Sequence, residues 1–213
     1  KIRVCTRNGQ NYFCSISDIT ESFVRADILE KEAESTELPC RIYLFQGLPK
    51  NDKMEWIIQK TVELGVYEVI PVAMKNCVVK LDDKKAKSKV TRWQAIAESA
   101  AKQSKRSLIP EVKMPMSYKE AVAYAKKLDV KLVPYENEHG MAGTKAAMEQ
   151  IKKGESIAVF IGPEGGFAPE EIALVQDEMQ LISLGKRILR TETAGIAALA
   201  ILGYQLESSD MIE

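Results

Sequence analysis

The stretch SIAVFIGPEGGFAPEE, Ser156 to Glu171, contains the fold in small form. Its first six residues are small or apolar without a break, the pattern of a strand covered on both faces. Gly162-Pro163-Glu164-Gly165-Gly166 then ends the strand. Pro169-Glu170-Glu171 opens a helix, because proline needs no N–H partner in a first turn and acids suit the positive end of the helix dipole. Three glycines around a proline allow a tight turn and close approach of backbone to a ligand. The same glycines also serve a plain strand-to-helix turn that needs positive φ. A phosphate cradle fits poorly: no Gly-Lys-Ser/Thr ending is present, and acids follow where a phosphate wants donors. The dinucleotide fingerprint G-x-G-x-x-G is absent too. A ligand with a positive centre, or with a purine edge read by backbone groups, fits the loop better.

The alternation continues outward from this centre. Toward the N-terminus the pattern predicts a strand over 41–46, a helix over 52–64 and a strand over 68–73. In the first of these helices Trp56, Ile57, Lys60 and Leu64 fall at helical spacing. A long helix over 84–104, a helix over 118–128, a strand over 131–135 and a helix over 144–152 follow. Beyond the glycine loop it predicts a helix over 169–178, a strand over 181–184 and a final helix over 193–206. Strands alternating with helices imply a parallel sheet clad in helices, an α/β fold with ligands at the carboxyl ends of the strands. Two further loops follow strands. LGKRILRTETA, Leu184 to Ala194, places Arg190 and Glu192 beside a helix start that Thr191 or Thr193 can cap, and reads equally well as a solvated basic turn. Pro134-Tyr135-Glu136-Asn137-Glu138 is by itself a surface loop.

The first forty residues read differently. Segments 2–5, 12–19 and 23–29 alternate apolar and polar residues, with Asn8-Gly9 as a hairpin turn. EKEAESTELP, Glu30 to Pro39, is polar and reads as a linker. The expected organisation is a small β domain over 1–38 and an α/β domain over 39–213.

Lys plus Arg equals Asp plus Glu at 30 each, so net charge does not favour nucleic acid and any basic surface must be local. Such a surface is available along the long helix: Lys84, Lys85, Lys87, Lys89, Arg92, Lys102, Lys105 and Arg106, with Gln103 and Ser104 beside them. The cluster can neutralise phosphates or simply face water. No apolar run is long enough to span a membrane and no signal peptide is visible, which predicts a cytoplasmic protein. The spacing of the 4 cysteines matches neither a zinc site nor a disulfide framework, and 1 histidine, His139, excludes a histidine-based triad or metal cluster. His139 reads as a surface residue, and Trp56 and Trp93 as core. The last helix is apolar nearly all round, from Ala194 through Ile196, Leu199 and Leu202 to Leu206, and is expected to serve both core and dimer seam.

Three strings in order, RWQAIAESAAKQSKRSLIPEV (Arg92 to Val112), IGPEGGF (Ile161 to Phe167) and LGKRILRTETA (Leu184 to Ala194), resemble the RsmE family, SPOUT-class methyltransferases of small-subunit ribosomal RNA. KNDKMEWIIQKTVELGVYEVIPV, Lys50 to Val72, also matches its helix, Leu-Gly turn and strand, so the resemblance extends from Arg41 onward. It implies a catalytic domain with a deep C-terminal trefoil knot and a bent S-adenosyl-L-methionine held there by the three loops. It implies a homodimer with the site at or near the seam, and N-terminal strands belonging to a PUA-like β-barrel. Members carry a basic Leu-Arg stretch ahead of the position of Lys1, so the barrel is expected to be short here.

The implied reaction is methylation of N3 of a uridine in 16S ribosomal RNA. A sulfonium donor is activated by its own charge, so the chemistry calls for alignment and not for a metal. The acceptor must lose its N3 proton and must be unpaired, since N3 lies on the Watson–Crick edge. Backbone groups of Gly162, Gly165, Gly166, Leu184, Gly185, Ile188 and Leu189 are expected on the cofactor. Pro163 shapes the turn and, with Ile161 and Thr193, is expected on the cofactor, while Tyr135 or Glu136 reaches the ribose or methionine part. Arg190 stabilises charge developing on the uridine or fixes its phosphate, with an interface salt bridge as the plainer role. Glu192 orients Arg190 or receives a proton. Arg92, Lys102, Gln103, Lys105 and Arg106 are the expected RNA contacts. Rival functions are a SPOUT enzyme acting on another RNA such as transfer RNA, and a non-catalytic ribosome-assembly factor. The glycine and LRTET loops argue against the latter, because a pure binder needs no cofactor pocket.

Overall fold

The strand that begins at Ser156 lies at the heart of a mostly parallel sheet, and every one of its residues is buried in the computed structural model of the chain. The structure describes residues 1–6, 9–33, 35–138 and 140–208. Asn8 of the expected hairpin turn and His139 lie outside the described residues.

The elements run β1 (Ile2–Cys5), β2 (Asn11–Ile19), β3 (Val24–Lys31), β4 (Arg41–Gly47), α1 (Lys53–Glu63), β5 (Val66–Ala73), α2 (Asp83–Gln103), β6 (Glu111–Val112), β7 (Met116–Ser117), α3 (Tyr118–Ala125), β8 (Val130–Pro134), α4 (Ala142–Glu149), β9 (Ser156–Ile161), α5 (Pro169–Ala173), β10 (Gln180–Ile182) and α6 (Thr191–Ser208). The large sheet has the order β10-β8-β9-β4-β5-β6, with β7 also on β5, and all its pairings are parallel. All the strand ends that carry loops of interest therefore point the same way.

β4 and β9 are near-continuous apolar runs because both of their faces are covered. Phe45 and Phe160 are register partners and stack with centroids 4.4 Å apart and planes 4° from parallel. Tyr118 and Tyr124 of α3 close on this pair edge-on. One residue along, side chains point to the opposite face, and there Gln46 and Ile161 meet Gly195 of α6. Helices thus cover both faces. α1 adds Met54, Ile57, Ile58, Thr61 and Val62 to the core. Local signals set the helix starts: Asp82 accepts from Lys85 N–H before α2, and Ser117 with Glu120 forms a capping box before α3.

The N-terminal strands form a separate antiparallel sheet, β1-β2-β3. It docks on the turn after α2. Arg3 donates to the Lys105 carbonyl at 2.6 Å, the Cys5 thiol to the Ser107 carbonyl at 2.8 Å, and the Asn11 amide to the Ser107 hydroxyl. The expected linker is anchored as well. Glu37 accepts from the Arg106 guanidinium and from the N–H groups of Ser107 and Leu108. Gly65 has φ +92°, and a Cβ there would lie 2.7 Å from a Leu38 methyl, so the Leu-Gly turn is shaped by the linker beneath it.

Several expectations need correction. Arg106 is no open cation of the basic helix: its side chain is 4% exposed, and its donors are used by Glu37 and by the carbonyls of Val62 and Val66. Trp56 is 52% exposed because it falls beside the buried stripe of α1, with the Lys60 ammonium 4.9 Å from its ring centre. Trp93 is buried as expected. The helix after the glycine loop ends at Ala173, and turns carry the chain on to β10. α6 buries one stripe only, Gly195, Ala198, Leu199, Leu202 and Leu206, while Tyr204 is 75% exposed. No helix among the described residues is long and apolar enough to cross a membrane.

Replacing Arg106 by Met leaves Glu37 without its cation and takes the guanidinium donor from the Val62 and Val66 carbonyls, of which Val62 keeps the Gly65 N–H. The R106M variant is expected to lose about 3 kcal/mol of unfolding free energy, read from urea denaturation. A loss under about 1 kcal/mol would place the pair among ordinary surface ion pairs.

Candidate functional site

The ends of β4, β8, β9 and β10 bring three loops together, and small residues set how closely they meet. Gly47 ends β4, and a Cβ there would lie 2.7 Å from the Pro163 nitrogen, so the glycine loop folds directly over this strand end. Within the loop Gly166 N–H donates to the Pro163 carbonyl at 3.0 Å, and Gly166 takes φ +65°. A Cβ on Gly162 would lie 3.2 Å from the Gly166 carbonyl carbon, and one on Gly165 would lie 3.0 Å from the Asn76 Cβ. Asn76, just past β5, donates its amide to the carbonyls of Gly165 at 3.0 Å and Gly166 at 3.2 Å. The glycines therefore answer first to neighbouring protein, and the loop is held in one shape from outside.

The second loop touches the first where Glu136 Oε1 would lie 3.5 Å from a Cβ on Gly166. Tyr135 N–H donates to the Ile182 carbonyl at 3.0 Å, which ties the end of β8 to the end of β10. In the third loop the Ser183 backbone is held by Thr144, whose hydroxyl both donates to Ser183 O at 2.9 Å and accepts from Ser183 N at 3.0 Å. Gly185 has φ +113° in open space, a conformation that side chains resist. The N–H groups of Gly165, Ile188 and Leu189 have no acceptor among the described residues.

The third loop returns to the first through Thr191. Its hydroxyl is buried, accepts from Gln46 Nε2 at 2.9 Å and donates to the Gly162 carbonyl at 2.6 Å. Beside this lies an ion-pair trio, with Lys53 Nζ 3.1 Å from Glu164 Oε1 and 3.1 Å from Glu192 Oε2. Burial pushes the Glu164 carboxyl up, but hydrogen bonds from the Lys50 and Glu164 N–H groups and the Lys53 ammonium outweigh it and hold it below the ordinary carboxylate range.

The structure thus gathers Ile161, Gly162, Pro163, Gly165, Gly166, Tyr135 and Glu136 with the start of α6. Arg190 stands exposed at the rim, with no side-chain hydrogen bond or ion pair among the described residues. Glu192 does not orient Arg190 as expected, because its carboxylate is engaged by Lys53. Thr193 is exposed, Ile188 is 84% exposed, and Leu184 packs partly buried against the core. Among the described residues no group of three or more His, Cys, Asp or Glu is placed to hold a metal ion.

The model of the RNA methyltransferase domain family matches residues 36–203. The ribosomal RNA small subunit methyltransferase E of Bacillus subtilis (strain 168) is 38% identical over 211 residues, which cover 97% of this chain and 82% of the relative. The chain belongs to the RsmE family of RNA methyltransferases. A member from Neisseria gonorrhoeae, solved bound to S-adenosyl methionine, superposes with a TM-score of 0.77 at 33% identity, covering 92% of this chain and 79% of that one. A methyltransferase from Legionella pneumophila, solved with the same cofactor, gives 0.79 at 32% identity, covering 94% and 81%.

In this RsmE-family chain the remaining expected RNA contacts are spread along α2 and its end. Arg92 is exposed and pairs with Glu55 at 2.8 Å, and Lys102 pairs with Glu98 at 2.6 Å. Gln103 and Lys105 are exposed, and Lys105 has φ +57° with its carbonyl turned to Arg3 and Thr36. Sequence reasoning missed Gln46, Gly47, Lys53 and Asn76. For three of them a signal existed: Gln46, Gly47 and Asn76 end or follow the strands β4 and β5, the positions at which ligands collect in such sheets.

Thr191→Val removes the hydroxyl and leaves the Gly162 carbonyl and the Gln46 amide without their partner. It is expected to cost about 2 kcal/mol of stability, measured by thermal or urea unfolding, whereas Thr191→Ser keeps the hydroxyl and most of the stability. Equal losses in the two variants would show that the methyl group, not the hydroxyl, matters.

Proposed function

We propose that this protein transfers a methyl group from S-adenosyl-L-methionine to N3 of a uridine in 16S ribosomal RNA of the small subunit. The observation that carries the reading is the meeting of the loops after β8, β9 and β10, with Arg190 unpaired at their rim, in a chain of the RsmE family. The residues fit the cofactor. Free N–H groups at Gly165, Ile188 and Leu189 suit a purine edge, and the Glu136 carboxylate beside Gly166 suits the positive part of such a ligand. When bound, the cofactor supplies a methyl group already activated by a positive sulfonium.

The chain's own residues do the rest. The glycine loop and the 184–190 loop orient the donor and keep its face closed to water. Arg190 offers its donors to one uridine oxygen beside N3, leaving N3 open to the methyl group, and so stabilises the anion left when the N3 proton departs to water. Glu192 acts through the start of α6 and not through direct contact with Arg190. Arg92, Lys102, Gln103 and Lys105 hold RNA phosphates.

The same reading includes the trefoil knot. Its support is the path of the chain: it leaves the edge strand β10, yet α6 starts at the sheet's centre, with Thr191 between Gln46 and Gly162. Residues 1–38 form part of a PUA-like barrel, which the exposed Ile16, Ile19, Val24 and Ile28 of β2 and β3 support. The chain works as a homodimer in the cytoplasm, where small subunits assemble. The uncovered side of α6, Ala200 and Tyr204 with half-buried Ile196 and Ile201, supports the seam.

Calorimetric titration with S-adenosyl-L-methionine is expected to show saturable binding that Gly166→Val abolishes, because valine resists φ +65°. Arg190→Ala is expected to keep that affinity and to lower kcat on small ribosomal subunits by about 100-fold. The methyl group should map to a uridine N3. No binding by the folded parent would overturn the methyltransferase reading, and a methylated ribose or transfer RNA would overturn the acceptor.

A further inference from the structure

Lys53 begins α1, Glu164 sits in the glycine loop, and Glu192 lies in the first turn of α6. One ammonium meets both carboxylates at 3.1 Å, and the three side chains are 26%, 24% and 20% exposed. Glu164 Oε1 also accepts from Lys50 N–H at 3.0 Å, so the cation is tied to the segment that follows β4. Without Lys53 the two carboxylates would face each other with like charge, and the glycine loop and the start of α6 would be pushed apart. A second consequence concerns Arg190. It lies two residues before Glu192 and has no ion pair, although a neighbouring carboxylate is an arginine's ordinary partner. Lys53 already engages that carboxylate.

We propose that Lys53 is a positioning residue for the transfer. It draws the glycine loop and the start of α6 together, and by engaging Glu192 it leaves the Arg190 guanidinium free for the RNA. Lys53 acts through these two acids and touches neither cofactor nor substrate. The hydrogen bond to Glu164, with the ion pair to Glu192, holds its ammonium above the ordinary lysine range, so the tie is permanent at neutral pH and not a switch. The proposal rests on the methyltransferase reading of the same site.

The test uses Lys53→Met, Lys53→Arg, Glu192→Gln and the double variant K53M/E192Q in the full chain. Three quantities are measured: hydrogen exchange of residues 162–168 in the free protein, the Kd for S-adenosyl-L-methionine by calorimetry, and kcat on small ribosomal subunits at saturating cofactor. K53M should exchange faster at 162–168, bind the cofactor about tenfold more weakly and turn over about tenfold more slowly. E192Q in the K53M background should restore part of kcat, because the carboxylate two residues from Arg190 is then gone and can no longer capture it, while K53R should stay near the parent. Should K53M fail to fold, Lys53→Gln carries the same measurements. A K53M variant within roughly twofold of the parent in all three would overturn the proposal, as would a double variant slower than K53M, which is what independent structural damage gives. Failure of the parent itself to bind cofactor would instead overturn the functional reading, and the exchange rates would still decide whether Lys53 ties the loop.

Discussion

One hydroxyl group joins three parts of the chain that lie far apart in sequence. Thr191 accepts from Gln46 at the end of β4 and donates to the Gly162 carbonyl just beyond β9. A buried amide and a buried carbonyl cannot be left unpaired without a cost comparable to a lost hydrogen bond. The start of α6 therefore has one acceptable position relative to the glycine loop. The 184–190 loop is strung between this point and the edge strand β10, so its course follows from the same bond. Asn76 and Gly47 complete the constraint from the other side, one by holding the loop's carbonyls and the other by leaving room for Pro163.

The sheet makes that constraint rigid. Phe45 and Phe160 stack across the two central strands, and the tyrosines of α3 fix them from one side. Aromatic pairs of this kind contribute about 0.5–1.5 kcal/mol beyond the area they bury. Their larger effect is to fix the register of β4 against β9, and with it the positions of Gln46 and Gly162. Glycine loops, which have little stability of their own, then inherit the precision of the strands that carry them.

The N-terminal sheet is joined to the basic helix by polar contacts and not by a shared core. Glu37 holds Arg106, Ser107 and Leu108, while Arg3, Cys5 and Asn11 reach the same turn. The end of α2, where Lys102, Gln103 and Lys105 face solvent, is thereby set relative to the N-terminal strands. An RNA strand lying along α2 would meet both as one surface.

By itself the sequence determined most of the strands and helices, though not the two-residue strands β6 and β7, that the large sheet is parallel, and which loops follow its strand ends. Each of those rests on local signals: an apolar run, a glycine group after a strand, a proline or acid at a helix start. It also marked Arg190 through its place beside a helix start. Only the tertiary structure decided the partners. Arg106 looks like one more cation in a basic run until the fold surrounds it with Glu37, Val62 and Val66. Trp56 fits a helical spacing, yet it falls beside the buried stripe, because which face of a helix is covered depends on its neighbours. Glu192 is two residues from Arg190 but belongs to Lys53, which comes from the other half of the chain. Local pattern reports what a segment becomes; the charge or hydroxyl it meets comes from residues distant in sequence, and their distances exist only once the sheet has set its order.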